Sequence, residues 1–213
     1  MAGLPYFAEK SVVELNSFAV PNLNCEAHYW PDFLSAAAAW RLYHHLVDDV
    51  EIPLNTIEVA GQGTFTMETG KLFLMDREIH ASGELAPERW GRTRPWTAQT
   101  REIRDRVRAV TGHHFHTGVC IRYPDGNTGV AYHHDPSAFG DTTYIASLSL
   151  GAERKFLLRE KATGREHAFT LAHGSLFLMG RHCQERYEHA VPNEPEVRDQ
   201  RVNITFRKYG HER

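Results

Sequence analysis

Cysteine is scarce in this chain of 213 residues: Cys25, Cys120 and Cys183 are odd in number and far apart. They form neither a disulfide framework nor a CxxC zinc motif. No run approaches the roughly 18 apolar residues that a membrane span needs, and the first residues, MAGLPYFAEKSVVELN, lack a cationic stretch followed by an apolar one. No membrane partner is expected, and the location read from these absences is soluble and cytoplasmic. A net basic charge is also missing. With 24 Lys and Arg against 27 Asp and Glu, the formal charge is −3, so there is no global footprint for nucleic acid. Internal repeats and low-complexity tracts are absent too.

What is present suits one globular domain, with 41% hydrophobic and 24% charged residues. Asp32 is placed to cap a helix running to about Asp49, with Phe33, Ala37, Trp40, His44 and Val47 at helical spacing and Pro53 barring its continuation. A second helix is predicted from about Thr97 to Val110, with Ile103 and Val107 on one face and Gly112 as its stop. Its arginines (Arg101, Arg104, Arg106, Arg108) alternate with Glu102 and Asp105, which reads as a solvated face. Residues 54–96, rich in Gly, Thr, Arg and Trp, read as irregular, hairpin-bearing structure able to fold over a site. From Gly118 onward, short β runs are broken by turn signals at regular intervals, the pattern of a sandwich or barrel.

The segment Arg201–Arg207, RVNITFR, carries the most chemistry. On a strand, successive side chains point to opposite faces, so Arg201, Asn203, Thr205 and Arg207 share one face and Val202, Ile204 and Phe206 the other. His133 and Asp135 likewise share a face, and with His189 they make the two-histidine, one-carboxylate set of a non-haem Fe(II) site with open positions. Two arginines on one wall suit a dicarboxylate, because guanidinium forks bind carboxylates bidentately. Iron with a dicarboxylic acid points to 2-oxoglutarate. Each part has a plainer reading: the strand's polar face could simply meet water, and with 14 histidines an HxD pair arises by chance. The ordered combination is much harder to produce by accident. His134 falls on the opposite face and is left out; His113, His114 and His116, between helix stop and core strand, read as surface and cap residues.

From about Val110 to Tyr209 the chain resembles the AlkB-like Fe(II)/2-oxoglutarate dioxygenases. The resemblance rests on IRYPDG (121–126), HHD (133–135), SLSLGAERKFLLRE (147–160), HGSLFLMG (173–180), Gln184, YEHAVP (187–192) and RVNITFRK (201–208). It is closest in pattern to the DNA-repair oxidative demethylases. It implies an α+β, mainly β fold: a jelly-roll double-stranded β-helix core over about 110–209, two supporting N-terminal helices and a substrate lid over about 54–96, all in one domain spanning 1–213. It also implies Fe(II) on His133, Asp135 and His189, with 2-oxoglutarate and O2 as co-substrates. In that scheme Arg201 meets the distal carboxylate of 2-oxoglutarate, Tyr123 donates a hydroxyl to it, and Arg207, beside Asn203 and Thr205, holds its other end. The reaction implied is oxidative decarboxylation of 2-oxoglutarate to succinate and CO2, coupled to hydroxylation of a substrate C–H. An N-methyl group so hydroxylated collapses to formaldehyde and the bare nitrogen.

The chain departs from the family at three places. Ile121 stands where many members have Asn, and Ser137 where repair members carry an acid that reads an exocyclic amine. The stretch GKLFLMDREIHASG (70–83) lacks the lid tyrosines that stack a flipped base. Phe73, His80 and Trp90 are the candidates to replace them, with Ser137 beside the base. The expected partner is therefore a single-stranded or distorted nucleic acid bound by a monomer. A hydroxylase or demethylase of a nucleoside, metabolite or protein side chain is the alternative.

Overall fold

The computed structural model describes residues 17–59, 63–85, 87, 91–135, 137 and 140–210. Among them, two sheets face each other. The larger is ordered β1 (Phe18–Ala19), β2 (Ala27–Trp30), β11 (Leu176–Met179), β8 (Ile145–Gly151), β13 (Arg201–Arg207), β6 (Thr117–Tyr123), β4 (Gly63–Met75) and β3 (Leu54–Val59), with β5 (Thr93–Pro95) pairing β4. The smaller is β10 (Glu166–Leu171), β9 (Arg154–Glu160), β12 (Tyr187–Val191) and β7 (Val130–His133). Two sheets with this strand order form the expected double-stranded β-helix, in which the site lies between the layers.

Period-two alternation in the central strands assigns each face. In β8, Ala146, Leu148 and Leu150 join Val202, Ile204 and Phe206 of β13 in the core on the outer face of the larger sheet. There they meet Leu42 and Leu46 from the first helix and Ile103 and Val107 from the long one. The opposite face looks into the sandwich, where Tyr123, Ile145, Phe156, Phe177 and Met179 make a second core. The alternation of β13 is thus used on both sides: its apolar residues hold the helices, and its polar ones point inward.

The long helix, Ala98–Thr111, follows the sequence closely. Thr97 caps it in a reciprocal box with Thr100, and Gly112 ends it at φ 74, a left-handed conformation that costs glycine little. The first helix differs from expectation. It begins at Ala36 with Ser35 as its cap, and its end, His45–Asp49, widens into a π-turn. Asp32 does not cap it, because Phe33 and Leu34 are buried first and the Leu34 N–H is spent on the Gly174 carbonyl. The stretch 54–96, expected as a lid, is in part built into the larger sheet. β4 pairs with β6 from Gly70 to Met75, Leu72 and Leu74 enter the outer core, and Trp96 stacks on Phe206. Those residues are framework. No described helix is long and apolar enough to cross a membrane.

Candidate metal and dicarboxylate site

His133 ends β7 and His189 sits in β12 directly opposite it, the two rings 4.2 Å apart between centroids. A β-bulge lies between this pair and Val191↔Val130, the kind of irregularity that re-aims side chains beside active sites. Asp135 follows just past the strand end. Ligand atoms of His133, Asp135 and His189 all lie within 4.8 Å of one another. The His133 Nδ1–H donates to the Ala131 carbonyl at 2.8 Å, which leaves Nε2 with its lone pair. Burial pushes His189 down to about 4, against the opposing pull of Asp135, so its imidazole is neutral at ordinary pH.

The two oxygens of Asp135 differ. Oδ1 is ion-paired with Arg207 Nη2, whereas Oδ2, buried and 3.6 Å from His189 Nε2, has no hydrogen-bond partner among the described residues. A buried carboxylate oxygen without a donor is costly unless a cation meets it. The backbone N–H of Asp135 donates to Gln184 Oε1 at 2.9 Å.

Arg201 lies at the other end of the pocket, 2% exposed. Its Nη2 donates to Ser149 Oγ at 3.0 Å, but Nε and Nη1 find no acceptor among the described residues. The Tyr123 ring lies 5.1 Å from its guanidinium carbon. Burial raises the Tyr123 pKa, so the phenol keeps its proton and remains a donor. Asn203 and Thr205 are engaged with the wall: Thr205 Oγ1 donates to Asn203 Oδ1 at 2.9 Å, and Asn203 Nδ2 donates to Ser147 Oγ at 2.8 Å and to the Leu148 carbonyl at 2.9 Å. These residues surround an inner cavity of about 60 Å³ that runs from Arg201 to the His–Asp–His group.

Asp135 also borders a second, open cleft of about 660 Å³, whose walls include His134, Ser137, Arg181, His182, Gln184 and Glu185. Asp135 is therefore the partition between the two spaces. The inner cavity offers a metal donor set and an anion site, and the outer cleft reaches the far side of Asp135.

Some expectations need correction. Arg207, expected to hold the other end of the dicarboxylate beside Asn203 and Thr205, lines the inner cavity with them, its Nη2 paired with Asp135 and its buried Nε without a partner among the described residues. Phe73 was placed in the lid, but it belongs to β4, 2% exposed and packed with Met75, Leu85 and Val119, so its faces are unavailable to a base. His80 is exposed on the short helix Arg77–Ser82, and Ser137 is exposed in the open cleft. Trp90 lies outside the described residues. Ser147 and Ser149 went unassigned, although their period-two placement in an apolar strand was visible. Lys71 was missed as well. It faces inward beside Ile121 with its ammonium 4.8 Å from the Phe73 ring, and burial and then Arg207 lower its pKa.

Residues 26–207 match the family model of the 2OG-Fe(II) oxygenase superfamily, and the chain belongs to that superfamily. It is an AlkB-like member. Over 126 residues it is 36% identical to the bovine (Bos taurus) DNA oxidative demethylase ALKBH2, covering 54% of this chain and 45% of that protein. Over 122 residues it is 34% identical to the human (Homo sapiens) alpha-ketoglutarate-dependent dioxygenase alkB homolog 3, covering 53% and 43%. The chain thus spans less than half the length of these two relatives. A mimivirus protein, R406 of Acanthamoeba polyphaga mimivirus, is 28% identical over 84% of this chain and 93% of its own. The solved structure of OsALKBH1 superposes with a TM-score of 0.62 at 15% identity, over 88% of this chain and 98% of that one, and so shares the fold.

The superfamily's reactants are Fe(II), 2-oxoglutarate and O2, and the residues present fit them. Two imidazoles and an unpartnered carboxylate oxygen suit Fe(II). A buried guanidinium with two nitrogens unpartnered among the described residues suits a carboxylate.

Proposed function

We propose that the protein is an Fe(II)/2-oxoglutarate-dependent dioxygenase that demethylates N-alkylated bases in DNA or RNA, releasing succinate, CO2 and formaldehyde. One observation carries the reading: a buried, incompletely satisfied Arg201 lies across an inner pocket from a His–Asp–His group whose aspartate also borders an open cleft. The substrate class draws on the name of one animal relative, a DNA oxidative demethylase, and the co-substrate on that of the other, an alpha-ketoglutarate-dependent dioxygenase. Residues 1–213 are read as one catalytic domain acting as a monomer.

Bound Fe(II) would supply O2 activation at the cost of oxidatively decarboxylating 2-oxoglutarate. Everything else belongs to the chain. His133, Asp135 and His189 would hold the metal on one side and leave its remaining positions open. Arg201 would take the distal carboxylate, and Tyr123 would lend its hydroxyl to the same molecule. Arg207 pairs with Oδ1 of Asp135 and would leave Oδ2 for the metal. The open cleft would present the N-methyl group to the partition and keep the rest of the substrate away from it. Single-stranded or distorted sites suit this cleft, because a base already out of the stack costs least to seat.

The test is mass spectrometry of methylated single-stranded DNA and RNA incubated with enzyme, Fe(II) and 2-oxoglutarate. Loss of the methyl group, with formaldehyde and succinate formed in equal amounts, is the expected result. Succinate uncoupled from every alkylated oligonucleotide, together with coupled turnover of a small N-methyl compound, would move the assignment to a small-molecule substrate.

A further inference from the structure

The backbone at Asp135 poses a problem that the ligand set alone does not solve. β7 ends at His133, so the Asp135 N–H has left the ladder that would otherwise satisfy it, while its carboxylate must keep a fixed direction. A buried backbone donor needs an acceptor, and the one supplied is remote in sequence: Gln184 Oε1, 2.9 Å away. Gln184 belongs to the one-turn helix Cys183–Arg186, entered through His182 at φ 68. A non-glycine residue in that left-handed region marks a backbone held by its surroundings. The other end of the same amide, Nε2, rests on the thioether of Met179 at 3.6 Å. Met179 and Asp135 both line the inner cavity, and Gln184 itself lines the open cleft. One side chain therefore spans the partition, tied to the metal carboxylate's backbone at one end and to the cavity wall at the other.

We propose that Gln184 is a positioning residue: its amide fixes the Asp135 backbone, and through it the direction of Oδ2, from the cleft side. This division of labour complements Arg207, which restrains the same carboxylate through Oδ1. Arg207 sets charge, and Gln184 sets backbone position. The inference rests on reading His133, Asp135 and His189 as the metal ligands, and not on the identity of the substrate.

The experiment titrates Co(II), as a spectroscopic stand-in for Fe(II), into the full chain without substrate, following affinity and the visible absorption of the bound ion. Gln184→Met keeps the length and volume and removes the acceptor. It should weaken Co(II) binding about 10- to 100-fold, the usual range for losing a group that orients a ligand, and alter the spectrum of the ion that still binds. Lys161→Ala is the control. It removes the bond from Lys161 Nζ to the Gln184 backbone carbonyl at 3.0 Å and leaves the amide in place, so it should bind Co(II) like the parent. An affinity and spectrum within about twofold of the parent for Gln184→Met would overturn the proposal. An equal loss in Lys161→Ala would also overturn it, since the turn and not the amide would then be responsible. His189→Ala tests the underlying reading separately: unchanged Co(II) binding there would remove the metal centre itself.

Discussion

At the scale of single residues, Arg201 is the group whose environment makes least sense without a ligand. A guanidinium taken out of water costs several kcal/mol unless its donors are met, and among the described residues only Nη2 has an acceptor, the Ser149 hydroxyl. A charged donor to a carboxylate contributes about 1.5–3 kcal/mol. Arg201→Met should therefore weaken 2-oxoglutarate binding by roughly 10- to 100-fold, at about 1.4 kcal/mol per decade. The same change should not lower the melting temperature of the protein without 2-oxoglutarate, because an apolar side chain of similar length removes a poorly satisfied buried charge. Thermal melts with and without 2-oxoglutarate read both effects at once. Unchanged stabilisation by 2-oxoglutarate in the variant would mean that the dicarboxylate binds elsewhere.

Elements show where sequence reading succeeds and where it stops. The long helix was legible because its signals are local: Thr97 before it, Gly112 after it, and Ile103 and Val107 at helical spacing between. Thr97→Ala removes the capping box and the contact between Thr97 Oγ1 and the buried His45 ring, 3.0 Å from its Nε2. Loss of a cap costs about 1 kcal/mol, so the melting temperature should fall by about 2–4 °C for a chain of this size. Because this helix packs on the outer face of the larger sheet, opposite the pocket, 2-oxoglutarate affinity should stay the same. A change in that affinity would show that the outer core does transmit to the site. The alternation of β13 was legible for the same local reason, and it placed Arg201, Asn203, Thr205 and Arg207 on one face. What failed was long-range. Nothing near Asp32 shows that Leu34 bonds to Gly174, and nothing near Phe73 shows that β4 runs beside β6. Gln184 could be noticed as part of a motif, but its bond to Asp135 crosses 49 positions and exists only once both sheets have formed.

For the whole molecule, the question is how an acidic chain would hold a polyanion. The formal charge of −3 gives no long-range attraction. Four described arginines are engaged within the protein, while Arg101 and Arg108 are exposed on the long helix. Arg104 pairs with Asp76 and Asp105, Arg106 lies over Phe33, and Arg92 and Arg94 donate to the carbonyls of Glu51 and Val50. Around the open cleft stand Arg181, His134 and His182, with Glu185 set against them and hydrogen-bonded to His182 Nδ1 at 2.9 Å. Such a surface can meet about two phosphates. Since each neutralised phosphate of a single strand contributes roughly −0.7 to the slope of log affinity against log salt, the slope for a methylated single strand should lie between about −1 and −2. Affinity for intact duplex should be lower still, because no described basic track follows a helix and the unstacking cost is then borne in full. Fluorescence anisotropy of a labelled methylated oligonucleotide, with Mn(II) in place of Fe(II) to prevent turnover, measures the slope across a salt series. A slope steeper than about −4, or tighter binding to duplex than to single strand, would require a basic surface beyond the cleft described here.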